Sequence, residues 1–140
     1  MKKLFFSLMA AGMLLTSCSS NQTKASAAGN VSTNTADAPT MKFEKETHDF
    51  GKIKRGDKVT YDFKFTNTGK SPLIITDATA TCGCTKPEWP KTPVKPGEAG
   101  TIHVTFDSAG KMGLQDKQIT VTANTNPSQN RVHLIGEVLN

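Results

Sequence analysis

Beyond its first fifteen positions, this 140-residue sequence has no long apolar run, and no window of it carries the three-and-four spacing of an amphipathic helix. That excludes a helical bundle and any fold built on strand–helix alternation. Cysteines number only three, too few for a disulfide-dense scaffold. Enzyme templates are missing as well. There is no Gly-rich phosphate loop opening a helix, no H-E-x-x-H and no G-x-S-x-G, and the carboxylates are scattered along strands and turns. The reading is therefore non-enzymatic, with no cofactor. Charge of one sign is not dominant either: Lys+Arg 17 against Asp+Glu 12 gives +5.

The N-terminus carries the first positive signal. Met1-Lys2-Lys3 is a basic start, and Leu4 to Leu15 is a 12-residue apolar run. Twelve helical residues span ~18 Å against a hydrocarbon core of ~30 Å, so the pattern is a signal peptide rather than a membrane span. Removing residues 1–17 takes away Lys2 and Lys3, leaving 15 basic against 12 acidic residues, or +3. With so weak an excess on an exported chain, nucleic-acid binding is excluded. Leu15-Thr16-Ser17-Cys18 resembles the bacterial lipobox, in which the Cys thiol takes a diacylglyceryl group. At ~0.8 kcal/mol per buried CH₂, two or three acyl chains make a lasting anchor. Ser19 rather than Asp follows Cys18, which favours the periplasmic face of the outer membrane.

Residues 19–40 hold five Ala, four Ser, four Thr and three Asn, with Val31 the only branched aliphatic. Such a stretch buries too little apolar surface to offset its ordering entropy. It is expected to be a flexible tether with an r.m.s. span of roughly 25 Å. The expected organisation is thus a lipoprotein signal peptide over 1–17, a lipidated Cys18 with tether over 18–40, and one folded domain over 41–140.

That domain is written in a period of two. Val59, Tyr61, Phe63 and Phe65 alternate with polar residues, as do Ile102, Val104 and Phe106, and again Ile119, Val121 and Ala123. Phe43, Phe50 and Ile53 supply an opening segment, Leu73 to Thr76 starts a strand, and Val132, Leu134 and Val138 belong to the last one. Gly, Pro and Asn turns separate these runs. The pattern predicts an all-β, immunoglobulin-like antiparallel β-sandwich of about seven strands. Pro87, Pro90, Pro93 and Pro96 cannot donate ladder hydrogen bonds, so their segment is expected to be a loop or an edge. Trp89 within it is expected to cover one end of the core.

Several pieces combine into a family resemblance: Phe50-Gly51-Lys52-Ile53; Phe63 and Asn67-Thr68-Gly69 followed by Pro72-Leu73; Pro96-Gly97-Glu98 before Ile102, Val104 and Phe106; and Leu134-Ile135-Gly136-Glu137-Val138. Together, over Phe43 to Val138, they resemble the bacterial family called domain of unknown function 1573. More distantly they resemble immunoglobulin-like domains of the major-sperm-protein and Hydin type. The resemblance implies the sandwich fold and an envelope compartment, since many members look like lipoproteins. It implies no catalytic residue.

Cys82-Gly83-Cys84 also belongs to the resemblance. Once Cys18 is lipidated these are the two remaining thiols, in a compartment that favours oxidation. Closing a three-residue loop contributes only ~1.6 kcal/mol by the loop-entropy formula, so such a staple shapes a bend more than it stabilises a fold. Three readings stand: a structural disulfide, a labile redox pair, or a soft-metal site for Cu(I) or Zn. Two thiolates fall short of a closed zinc site. His48, His103, His133 and Met112 lie at no ligand spacing, with His103 and His133 expected on the solvent face. Asp107-Ser108-Ala109 resembles the D-[ST]-A acceptor triplet of a periplasmic O-glycosylation system, which makes Ser108 a glycosylation candidate. The function expected is a monomeric, lipid-anchored binding or scaffolding module with an envelope protein as partner. The alternative is a thiol-disulfide or copper-handling protein using Cys82 and Cys84.

Overall fold

Two sheets, each of four strands, face one another in a computed structural model that describes residues 37–140. The strands are β1 (Met41–Phe43), β2 (Thr47–Lys54), β3 (Lys58–Asn67), β4 (Ile75–Ala80), β5 (Thr85–Glu88), β6 (Ala99–Asp107), β7 (Gly113–Ala123) and β8 (Gln129–Leu139). One sheet has the order β1-β3-β6-β5 and the other β2-β8-β7-β4. The described residues contain no α-helix. The all-β immunoglobulin-like sandwich expected from the alternation is the fold observed.

Period-two alternation explains the core directly. Phe63, Phe65, Ile102, Val104 and Phe106 point inward from the first sheet, and Ile119, Val121, Val132, Leu134 and Val138 from the second; all are at most 1 % exposed. Full burial of each such side chain contributes on the order of 1.5–3 kcal/mol. Where two inward positions compete for space, glycine resolves the conflict. A Cβ on Gly136 would run into the Phe50 ring, and one on Gly100 into the Phe65 ring. Gly136 thus interrupts the inward series of β8 so that Phe50, from β2, can fill the gap and pack on Phe106 at 5.7 Å.

Four details depart from expectation. The opening segment is two strands, because the chain changes sheets between Phe43 and Thr47, which raises the count to eight. β2 then runs parallel to β8, with Thr47 opposite His133 and Ile53 opposite Val138, so the sandwich is not wholly antiparallel. Alternation reports which face a residue occupies and is silent on the direction of a neighbour. Leu73 makes only an isolated bridge to Val94, and β4 starts at Ile75. Finally, the chain is already packed by residue 38. Pro39 is buried, Thr40 O accepts from Thr68 N–H at 2.9 Å, and a Cβ on Gly69 would collide with Ala38, Pro39 and Thr40. Gly69 is what lets the incoming chain lie against the β3–β4 connection.

Candidate functional site: the two ends of the sandwich

The ladder registers give the molecule two ends. At the entry end, β3 finishes and the chain from Asp37 joins the fold. Asn67 is the hub there, fully buried at the last position of β3. Its side-chain amide donates to Ser71 O (2.8 Å) and Val94 O (3.0 Å), while its Oδ1 accepts from Thr40 N–H (3.3 Å) and Gly69 N–H (3.0 Å). One amide thus ties together the entering chain, the Thr68–Lys70 turn and the Leu73–Val94 bridge. Alternation pointed only to a turn after Asn67; its placement before Thr-Gly was the available signal.

The opposite end is built around Cys82-Gly83-Cys84. β4 ends at Ala80, and Thr81 N–H donates to Gln118 O (3.1 Å) on the second sheet. Five residues later the chain is paired in the first sheet, with Thr85 opposite Phe106. The C-G-C segment is the corner between sheets. Thr85 N–H donates to Cys82 O (3.2 Å) and Asp107 N–H to Cys84 O (2.9 Å), so both cysteine carbonyls are held by backbone. The two sulfurs are joined as a disulfide, with Cα atoms 5.3 Å apart. The hydroxyl of buried Thr85 lies 3.7 Å from Cys82 Sγ and 3.9 Å from Cys84 Sγ. Beside the bridge, a depression of about 390 Å³ is lined by Lys58, Gly83, Cys84, Lys86, Thr105 and Asp107. Lys58 Nζ is 3.6 Å from Asp107 Oδ2.

Ser108 belongs to the same end and is fully buried. Its hydroxyl donates to Asp57 O (2.7 Å), lies 3.1 Å from Lys54 O and accepts from Gly56 N–H at 3.0 Å. A sugar on this oxygen would have to displace those contacts, so the structure corrects the glycosylation reading of Ser108. The neighbouring surface exposes apolar groups: Met112 is 61 % and Leu114 86 % exposed, with Leu139 at 41 %. Arg55 Nη2 reaches Met112 Sδ at 3.4 Å. On the outer face of the second sheet, Leu114 borders a depression of about 400 Å³ with Asp49, Gly51, Lys52, Ile135 and Glu137.

Cys18 lies outside the described residues. His103 and His133 sit on the solvent side, as expected, each against a carboxylate: Asp62 at 2.5 Å and Asp116 at 2.9 Å. His48 stacks on Tyr61 with centroids 3.5 Å apart, joining β2 to β3 across the two sheets. Burial holds the His48 ring below its ordinary pKa of 6.5, with Lys45 adding repulsion and Asp49 opposing it. Pro87 lies on β5, an edge strand, so its missing N–H leaves no gap inside a sheet. Trp89 is half-buried against the core, with Lys91 Nζ 3.2 Å from its ring centroid. Among the described residues, no group of three or more His, Cys, Asp or Glu side chains could hold a metal ion.

Two four-stranded sheets joined by a sheet-switching corner make an all-β, immunoglobulin-like sandwich the class of this fold. Within that class it belongs to the family described as protein of unknown function (DUF1573), whose pattern matches residues 41–138. No match was found among curated proteins. Among solved structures, the chain is similar to a protein of unknown function from Porphyromonas gingivalis W83 (17 % identity, TM-score 0.66, covering 78 % of this chain). This chain spans 51 % of that protein's length. It is also similar to the ASH / PapD-like domain 7 of human CEP192 (10 % identity, TM-score 0.58, 92 % of this chain and 98 % of that one). A third similarity is to the secreted serine protease VesC from Vibrio cholerae (10 % identity, TM-score 0.54, 73 % of this chain and 23 % of that one). At these identities the likeness is one of fold.

Proposed function

We propose that this protein is a lipid-anchored, non-enzymatic binding module of the bacterial envelope. It is held by acylated Cys18 on the periplasmic face of the outer membrane and presents the corner end of a monomeric sandwich to a protein partner. The observation that carries this reading is the opposition of the two ends. The chain that would lead back to Cys18 enters beside Asn67, whereas the disulfide corner, Met112, Leu114 and Leu139 lie at the other end. Attachment through the chain that precedes Asp37 would leave the corner end free to face away from the bilayer. Exposed apolar groups of this size, rimmed by Arg55, Lys52 and Glu137, suit a protein contact better than solvent.

Two measurements test it. Cys18→Ser should abolish palmitate labelling and release the protein from membranes; continued labelling would sink the anchoring. A photo-crosslinking residue placed at Leu114 should capture a discrete envelope protein in native membranes, while the same residue at Lys70, beside the entry point, should not. Equal capture from both positions would remove the corner end as the binding surface.

A further inference from the structure

The binding reading leaves the chemistry of the Cys82–Cys84 bridge unused. Three features surround it. The depression beside the corner is bounded by Gly83 and Cys84, so it opens onto Cys84 in particular. Its charged lining comprises Lys58, Lys86 and Asp107, one net positive charge. Asp107 lies against Lys58, while Lys86 is exposed and makes no ion pair among the described residues. On the inner side, the buried Thr85 hydroxyl has the two sulfurs as its neighbours and is nearer to that of Cys82. A positively charged recess favours an anion, and the attacking species in disulfide exchange is a thiolate. A hydroxyl beside a departing sulfur stabilises it as an acceptor.

We propose that this recess is a docking site for a thiolate, at which the Cys82–Cys84 disulfide undergoes exchange. The incoming sulfur attacks Cys84 Sγ, and a new S–S bond forms between them. The Cys82–Cys84 bond breaks, and its electron pair passes to Cys82 Sγ, which leaves as a thiolate hydrogen-bonded by Thr85 and then takes a proton from solvent. A second thiol of the reductant, deprotonated, attacks the mixed disulfide at its own sulfur and releases Cys84 as a thiolate. Two reductant thiols are thereby oxidised to one disulfide, and the protein gains two thiols. The backbone bonds from Thr85 N–H to Cys82 O and from Asp107 N–H to Cys84 O do not involve the sulfurs, so the corner stays folded and the reverse reaction remains available. This inference does not rest on the binding reading or on the anchor.

The test uses the oxidised chain at neutral pH with two reductants, glutathione and a small dithiol protein of thioredoxin type. Reactions are acid-quenched at low conversion, and the mixed disulfide is located by fragment mass. Expected is a linkage predominantly on Cys84. Lys86→Glu should slow the glutathione reaction about three- to tenfold at low salt, with the difference shrinking in roughly 1 M salt. Lys70→Glu, at the entry end, should leave the rate unchanged. Whichever reductant reacts faster at equal thiolate concentration identifies a small-molecule or a protein source. Linkage mainly on Cys82, equal linkage on both sulfurs, a rate indifferent to Lys86→Glu, or no exchange with either reductant in the folded chain would each overturn the proposal.

Discussion

Both ends of the sandwich are closed by a buried polar side chain, yet they close differently. Asn67 at the entry end uses both the donor and the acceptor side of its amide, on four backbone partners drawn from three separate segments. Ser108 at the corner end ties only the β2–β3 connection to the end of β6. The corner end leaves its remaining closure to a three-residue disulfide and exposes Met112 and Leu114 to solvent. A polar hub fully satisfied from within rigidifies what it joins, whereas groups facing water remain free to engage something else. The entry end is therefore the more tightly tied one, and the corner end is the one that the proposed recognition and exchange would use.

The sharpest way to break that contrast is to remove the hubs. Asn67→Ala removes four hydrogen bonds at once, from Ser71 O, Thr40 N–H, Gly69 N–H and Val94 O, of which Val94 O still accepts from Leu73 N–H, an expected loss of about 2–4 kcal/mol. Ser108→Ala should cost about 1–2 kcal/mol, since Asp57 O still accepts from Ser108 N–H. Urea unfolding of both variants reads the difference. If Ser108→Ala proves the more damaging, the roles assigned to the two ends are reversed.

Next in size is the bridge itself. The double change Cys82→Ser, Cys84→Ser should cost no more than roughly 1–2 kcal/mol, because so short a loop restricts the unfolded chain little. The corner is also held by backbone bonds on both cysteine carbonyls, and these survive the change. Thermal unfolding followed by circular dichroism would show a β-rich fold retained. Loss of that fold would mean that the disulfide carries the architecture, and the contrast between a structural end and a chemical end would fail.

How far the sequence revealed these ends follows from what each depends on. Inward positions such as Phe63, Val104, Val121 and Leu134 were legible because period-two alternation is a local property of one strand. The edge placement of Pro87 was legible from a missing donor. The parallel pairing of β2 with β8 was not, because pairing direction is a relation between segments far apart in the chain, Thr47 against His133. Asn67 read as a turn residue, and only the arrival of Thr40 and Val94 makes it a buried hub. At the corner, Cys82 and Cys84 stood out by residue type, whereas Lys58, Thr85, Lys86 and Asp107 gained meaning only when three strands converged on them. Ser108 shows the reverse error. A surface-like triplet at a strand end is folded inward, where the backbone of Lys54, Gly56 and Asp57 occupies its hydroxyl.

The smallest expected effect lies between the ends, at the His48–Tyr61 stack that bridges the two sheets. Burial favours the neutral ring, so His48 binds its proton less readily in the folded chain than in the unfolded one. Above the ordinary value of 6.5 both states are neutral and this residue contributes no pH dependence. As pH falls through that value the unfolded chain binds the extra proton first, so stability declines with acidity until the folded ring also titrates. Melting temperatures between about pH 7.5 and 5.5 should therefore slope downward toward acid. His48→Phe keeps a flat ring against Tyr61 but cannot titrate, and should flatten part of that slope. An unchanged slope would mean that the stack is a packing contact with no electrostatic part in holding the sheets together.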